Sequence, residues 1–384
     1  MTTVRRIVFA TTVFDEVANG PAMYAQYLWQ AFRDDPDLEF HLVAPAAAQT
    51  HPRLHTLDGA DTRGSLYHRI GRLAMRVAAG YERSTIIHGN IAHAMFQFVN
   101  YPGPWAVQVN DYEVADVAAH LAGTLVRKGP RRLMSLLWRR VQEQKVIPAA
   151  TRVVCNSNYT RRRVLEAYRP EESRVCTIYK AVDTSCFIRP GVLPPDPLPQ
   201  RPAGGRLVLV GTNWQIKGLD ILLRSMQQLL ARRGDLSLTV AGSPQGRANA
   251  RMVALCAQLG LQDRVHFVGR LDREALKVLL WYSDLYVLPS RSEGFGVSVL
   301  EAMSAGVPVV VSRVGGLPEI VADQQWGVLV EPEDPRALAG AVEQLLGSAP
   351  RRQALSAAGA QRATAFGLHR MIDQVRALYE QLMR

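Results

Sequence analysis

Residues Tyr286 to Val321 read Tyr-Val-Leu-Pro-Ser-Arg-Ser-Glu-Gly-Phe-Gly-Val-Ser-Val-Leu-Glu-Ala-Met-Ser-Ala-Gly-Val-Pro-Val-Val-Val-Ser-Arg-Val-Gly-Gly-Leu-Pro-Glu-Ile-Val. An apolar run ending at Leu288-Pro289, a glycine-punctuated loop, a helical segment from Val297 to Ala305 and a second apolar run from Val307 to Val311 make one βαβ unit. Its first loop leads into a helix N-terminus, which offers unpaired backbone N–H groups and the positive end of a dipole. Gly294 and Gly296, on either side of Phe295, leave room for an anion to approach the backbone, so the loop reads as a phosphate cradle. Glu301 lies within the helix, roughly 7 Å along the axis from its start at about 1.5 Å per residue. That is too far to touch a phosphate on the cap and suits a neighbouring ribose diol. Glu293 stands before the helix, on the opposite side of the cradle. By spacing alone the two glutamates are equally a helix-dipole partner and a solvated surface acid.

The surrounding residues decide between these readings. Ser292-Glu-Gly-Phe-Gly296, the run from Glu301 to Val310 and Gly315-Gly-Leu-Pro-Glu-Ile-Val321 together closely resemble the donor-site motif of the retaining glycosyltransferases of family 4. The resemblance covers nearly the whole chain and is strongest from Arg206 to Val330. It implies the GT-B fold, an α/β architecture of two doubly wound parallel-sheet domains facing a cleft. It also implies transfer of a hexosyl group from a UDP- or GDP-sugar to an acceptor hydroxyl, with retention of configuration and no metal or other cofactor. Under the same resemblance Glu301 holds the ribose, Glu293 contacts the donor sugar, and the backbone at Arg270 and Leu271 meets the base.

A second phosphate element follows the strand Arg206 to Val210: Gly211-Thr-Asn-Trp-Gln-Ile-Lys-Gly218, then a helix from Leu219 to Arg232. Lys217 matches the family's phosphate lysine. Thr212 occupies the place of the expected arginine, and one point charge grips a diphosphate less firmly than a lysine with a bidentate fork. Departure of the diphosphate is the charge that needs stabilising, and the resemblance assigns it to helix N-terminal amides and Lys217. The expected catalytic groups are Asp111, Lys217 and Glu293, with no conventional general base.

The N-terminal part repeats the pattern of strand, loop and helix: Arg6 to Thr11, then Gly20-Pro21 opening a helix from Ala22 to Arg33. Gly20 alone matches the family's glycine pair at the donor or acceptor, and it reads equally as a turn residue before a first-turn proline. Asp35-Pro36-Asp37 has the form of a metal-binding Asp-x-Asp, but it ends a helix ahead of the strand Glu39 to Val43 and reads as a turn. Residues Thr50 to Arg83 carry no pattern that assigns an element. Strands Ser84 to His88 and Trp105 to Val109 end in polar residues, which makes His88, Asn110 and Asp111 candidate sugar or acceptor contacts. His88 reads also as a satisfied strand-end histidine, and Asn110 stands where relatives often carry histidine. Asn156 to Thr160 follows the strand Arg152 to Cys155 as a turn.

Between Asp116 and Glu143 no acid occurs, while Arg127, Lys128, Arg131, Arg132, Arg139 and Arg140 do. Lys128, Arg132, Ser135 and Arg139 share one helical face, and Leu133, Leu137 and Val141 another, with Trp138 near its edge. This basic amphipathic helix reads either as a solvated face on a core helix or as a surface for anionic lipid. Prolines crowd residues 190–202, so the expected division is an acceptor-side domain over 1–190, a linker over 191–204, a donor domain over 205–367, and a last helix, 368–384, crossing back.

At 384 residues with a formal charge of +11, the chain is long enough for two cores, and its basic surface favours acidic partners. The expected partners are a nucleotide-sugar donor and a saccharide, lipid-linked or small-molecule acceptor, with an anionic membrane surface left open and no specific nucleic acid. The four cysteines have neither disulfide-framework nor Cys-x-x-Cys spacing, which fits a reducing cytoplasm. No apolar run is long enough to span a bilayer. Alternative readings are a nucleotide-sugar epimerase of the same fold and a non-catalytic basic binding protein.

Overall fold

The computed structural model describes residues 5–15, 20–58, 64–81, 84–90, 92–110, 130–198, 202–243, 247–322 and 324–384. Asp111, Arg127 and Lys128 lie outside the described residues, as do the side chains of Arg131, Arg132, Leu133 and Ser135. The chain divides into two compact units, one of Met1–Lys180 with His369–Arg384, the other of Ala181–Leu368.

The first unit contains β1 (Arg5–Ala10), α1 (Gly20–Phe32), β2 (Leu38–Ala44), β3 (Leu54–Thr56), α2 (Leu66–Ala78), β4 (Thr85–Gly89), β5 (Trp105–Val109), α3 (Pro130–Ala149), β6 (Arg152–Cys155), α4 (Asn158–Tyr168) and β7 (Val175–Thr177). A 3-10 helix, Ala92–Asn100, precedes β5. The strands form one parallel sheet in the order β3-β2-β1-β4-β5-β6-β7. Its inner strands are buried on both faces, which is why they read as continuous apolar runs rather than alternating ones. Two elements, β3 and α2, arise in the stretch without a sequence pattern. Ser65 caps α2, its hydroxyl accepting from His68 N at 3.4 Å. The face α2 buries is built on Ile70, Gly71, Ala74 and Ala78.

The second unit contains β8 (Arg206–Val210), α5 (Leu219–Arg233), β9 (Ser237–Ala241), α6 (Arg247–Gln258), β10 (Val265–Gly269), α7 (Arg273–Trp281), β11 (Leu285–Leu288), α8 (Val297–Ser304), β12 (Val309–Ser312), α9 (Leu317–Ile320), β13 (Val328–Val330), α10 (Pro335–Leu346) and α11 (Ala349–Thr364). Its parallel sheet runs β10-β9-β8-β11-β12-β13. The order reverses between β8 and β11, so the loops after these two strands open at a topological switch point, where ligands bind in such sheets.

The proline-rich segment is packed onto this second unit. Trp281 Nε1 donates to Phe187 O at 2.9 Å, Tyr282 OH donates to Pro194 O at 2.6 Å, and the buried Arg206 guanidinium pairs with Asp196 at 2.8 Å. The prolines deny this segment helix and sheet, and side-chain anchors hold it instead.

The last helix, α12 (Leu368–Leu382), belongs largely to the first unit. Tyr379 is fully buried there, its ring 6.0 Å from that of Phe32, and Arg376 pairs with Asp35. Asp35 also accepts from Asp37 N at 2.9 Å. Burial acts against its ionisation, but the bonds from Arg376 and the backbone prevail and hold the carboxyl below its usual range.

Candidate functional site

In the second unit the loops after β8 and β11 are joined into one surface. Arg291 N donates to Ile216 O at 2.8 Å, and the Arg291 guanidinium reaches Gln215 O at 2.6 Å. The same guanidinium forks onto Asp220 at 2.7 and 2.8 Å and meets Glu333 at 2.5 Å. Gly218, at φ 71°, ends the first loop against the second: a Cβ there would lie 1.9 Å from Pro289 O, so the approach admits glycine alone. On the far side of the second loop runs the turn Gly315-Gly316. Gly316 N donates to Glu293 O at 3.0 Å, and a Cβ on Gly315 would stand 1.7 Å from that same oxygen.

Across this surface Lys217 Nζ donates to Glu293 Oε2 in an ion pair whose members are both mostly shielded from water. The lysine stem lies along Gly211, where a Cβ would come 2.9 Å from Lys217 Cγ. Gly296 caps α8 without a side-chain bond to the helix amides, so α8 turns an open N-terminus into the loop that holds Glu293, Gly294 and Phe295. Phe295 is buried against Phe366, ring centroids 5.5 Å apart, and anchors the loop from beneath. Tyr286 OH, at the base of the unit, donates to Ser298 Oγ at 2.8 Å and fixes the first turn of α8. The arrangement is a cation and a set of backbone amides facing an acidic side chain, a site for an anion that carries a polar neighbour.

Glu301 projects from the second turn of α8 and is 8% exposed. Among the described residues no hydrogen bond or ion pair reaches its carboxylate. Burial pushes its pKa up to about 7, with the Arg273 charge pulling the other way. Arg273 opens α7 and stands 5.5 Å over the Phe187 ring, while the 3-10 turn Thr184–Phe187 packs against α8. The turn that leads into the proline-rich segment thereby packs against the helix that carries Glu301. Arg270 is exposed and Leu271 half-buried, on the loop between Gly269 and the capping Asp272, whose side chain accepts from Ala275 N at 2.8 Å.

In the first unit the strand ends carry a ladder of side-chain amides. Asn90 Nδ2 donates to Pro21 O at 3.0 Å and to Thr11 Oγ1 at 3.2 Å; Asn110 Nδ2 donates to Asn90 O at 2.6 Å and Oδ1 at 3.2 Å. Asn156 Nδ2 donates to Asn110 O at 2.8 Å, and Asn156 Oδ1 accepts from Thr160 at 2.8 Å. Asn110 Oδ1 is buried and has no hydrogen-bond partner among the described residues. Gly20 opens α1, with Lys180 Nζ about 3.6 Å from where its Cβ would be.

His88 is placed differently from a sugar contact. It is fully buried beneath the strand end, bonded through Nδ1 to Tyr379 OH at 3.0 Å and edge-on to Phe9. Burial lowers its pKa to about 3, which keeps the imidazole neutral as a tie for α12. As placed, its ring has no face toward solvent. Sequence reasoning missed the brace, Arg291, although it lies within the quoted motif, and missed Asn90, Asn156 and Lys180. Of these, only the asparagines carried a signal, as polar residues directly after buried strands.

The signature of the family described as glycosyl transferases group 1 matches residues 205–362. The chain is 37% identical over 234 residues to D-inositol 3-phosphate glycosyltransferase 2 of Catenulispora acidiphila, covering 56% of this chain and 52% of that protein. It is 32% identical over 249 residues to the D-inositol 3-phosphate glycosyltransferase of Mycolicibacterium smegmatis, covering 64% and 56%. The chain thus spans about half the length of the curated relatives it matches. Sucrose-phosphate synthase of Thermosynechococcus elongatus superposes over 98% of this chain and 99% of its own at a TM-score of 0.80 and 22% identity. Anabaena HepE, solved in complex with UDP-glucose, does so over 98% and 100% at 0.76 and 17%. These likenesses show the two-domain GT-B fold.

Proposed function

We propose that this chain is a member of the glycosyl transferases group 1 family, whose signature matches residues 205–362, and that it moves a hexosyl group from a nucleoside diphosphate sugar to an acceptor hydroxyl. The observation that carries the proposal is the Lys217–Glu293 pair set on the glycine-lined surface between β8 and β11. A diphosphate arriving there meets Lys217 and the open N-terminus of α8, and its charge replaces that of Glu293 at the ammonium. The released Glu293 carboxylate is then free to accept from hydroxyls of the donor sugar. Glu301, half a helix away and without another partner among the described residues, accepts from the ribose diol. The base rests along the backbone at Arg270 and Leu271.

As the bond to the departing diphosphate lengthens, negative charge grows on the oxygen facing Lys217 and the α8 amides. Fixed donors aimed at that charge stabilise the transition state more than the ground state. On this reading the cradle does the work without a metal and transfer retains configuration, with no conventional base assigned among the described residues. In the first unit the Asn110 carbonyl oxygen, held by the amide ladder, contacts a sugar or acceptor hydroxyl. The relatives named for D-inositol 3-phosphate and the UDP-glucose bound by HepE support a UDP- or GDP-sugar as donor and a hydroxyl-rich acceptor.

The test is a thermal-shift panel of UDP, GDP, ADP and their sugars in EDTA, followed by transfer assays with the best donor. A nucleotide at a hundred times its dissociation constant adds about 2.7 kcal/mol of stability. Indifference to every nucleotide would overturn the reading, and a strict need for manganese would overturn its metal-free form.

A further inference from the structure

Helix α3 is apolar on two sides. Towards its C-terminal end Val146 and Ile147 are buried in the core of the first unit, with Gln142 and Glu143 beside them. Its N-terminal half instead turns Met134, Leu137, Trp138 and Val141 to water, at 70, 42, 63 and 45% exposure. These positions recur at the three- and four-residue steps of one helix face, so they form a continuous stripe opposite the buried residues. Leu137 and Val141, with Trp138 near the edge, belong to the apolar face expected from the sequence and are exposed; the side chain of Leu133, also expected there, lies outside the described residues. Phe96, 37% exposed on the 3-10 helix that packs against α3, extends the patch, with the Lys145 ammonium 5.8 Å from its ring. Isolated exposed apolar residues need no explanation, but a contiguous stripe of this kind marks a surface that meets something.

In the sequence, the charge on and just before α3 is almost entirely of one sign. Arg131, Arg132, Arg139, Arg140 and Lys145 belong to α3, and Arg127 and Lys128 precede it in the sequence. Its one acid, Glu143, is turned inward, where Tyr168 OH donates to it at 2.5 Å. Among the described side chains, the water-facing part of the helix offers Met134, Leu137, Trp138, Val141 and the Lys145 ammonium, with no exposed carboxylate. A second copy of the chain, meeting the stripe about a two-fold axis, would set these cations against their own kind. An anionic lipid surface satisfies both features: apolar side chains enter the boundary of the acyl chains, Trp138 sits at headgroup level, and the cations meet phosphates. We propose that the exposed face of α3, extended by Phe96 and Lys145, docks the protein on an anionic membrane surface. No helix among the described residues is long and apolar enough to cross a membrane, so this contact is peripheral.

The experiment is co-sedimentation of the full chain with vesicles of phosphatidylcholine alone and with added phosphatidylglycerol, at low and high salt. The chain is expected to pellet with the anionic vesicles, binding at least tenfold more weakly to neutral ones and in high salt. Two variants separate the contributions, M134Q/L137Q/W138Q for the stripe and R131Q/R132Q/K145Q for the charge. Each should lose vesicle binding roughly tenfold or more while keeping its thermal shift with nucleotide, because neither changes a residue of the second unit. A parent that ignores phosphatidylglycerol, or a stripe variant that pellets like the parent, overturns the proposal. So does a dimer by sedimentation velocity that the stripe variant dissociates, with vesicle binding absent, since the occupant is then a second copy.

Discussion

Lys217 and Glu293 are paired across the loops that follow β8 and β11, so the cation offered to a phosphate already holds a carboxylate. Under the proposed function, binding of a diphosphate exchanges one anion for another at Nζ, and the carboxylate it displaces becomes available to the sugar. Glu293→Gln removes the competitor and the sugar contact together. The expected result is nucleoside diphosphate affinity unchanged or raised by up to about 1 kcal/mol, with transfer lowered by about two orders of magnitude. Calorimetry with the diphosphate, set beside initial rates, checks the split. A fall in both would place Glu293 in nucleotide binding alone.

Under the proposed function, Glu301 ties nucleotide binding to pH. Burial raises its pKa to about 7, and a ribose diol is bound best by the carboxylate form. Nucleotide affinity should therefore rise with pH up to the neutral range and level off above it, whereas Glu301→Gln should show a flat profile and bind more weakly by about 2 kcal/mol. Stability moves the other way. The folded-state pKa is raised above the unfolded one, so the native state binds the extra proton between the ordinary carboxylate range and about 7, and stability falls as pH rises through that window. Above it the cost is on the order of 3 kcal/mol, which Glu301→Gln should recover as a higher Tm at alkaline pH.

The motif residues of the second unit were legible because glycine positions report backbone approach directly. Gly218 and Gly315 face carbonyl oxygens at distances no side chain permits, and Gly294 and Gly296 lie in the loop between them. Strands such as Arg206–Val210 were legible because burial on both faces makes them uniformly apolar. Partnership across the chain was not legible. His88 looks like a ligand at a strand end until Tyr379, supplied by the last helix, closes over it. In the same way, the seat of α2 is set by a partner distant in sequence: a Cβ on Gly71 would come 2.7 Å from Gln97 Oε1.

Arg291 fills no vacancy left by the arginine absent at Thr212, since Asp220 and Glu333 already hold its guanidinium and raise its pKa further. Its role is to lock the two phosphate loops at one height. Arg291→Lys keeps the charge but cannot fork onto Asp220 while reaching Gln215 O, and should destabilise the chain by about 2 kcal/mol. The Tm should fall and the Michaelis constant for the donor should rise, with kcat less affected. An unchanged Tm would show that the loops are held by their backbone bonds alone.

Asn110 tests the first unit independently of the nucleotide. Its amide group donates to Asn90 O at 2.6 Å and to Asn90 Oδ1 at 3.2 Å, so its carbonyl oxygen is fixed in direction; that oxygen is buried and accepts from no group among the described residues. A substrate hydroxyl is the natural donor to such an oxygen, and losing one hydrogen bond in the transition state is worth about 1 to 2 kcal/mol. Asn110→Ala should lower kcat/KM roughly tenfold while leaving affinity for the nucleoside diphosphate intact. Asn110→Asp sharpens the question, because it keeps an acceptor but deprives Asn90 of its amide donors and sets a carboxylate against two carbonyl oxygens. If the ladder orients Asn110, Asn110→Asp should lose as much activity as Asn110→Ala, and Asn156→Ala should lose a smaller part of it. Full activity in Asn110→Ala would remove this residue from the substrate site and leave the ladder as a tie between strand ends.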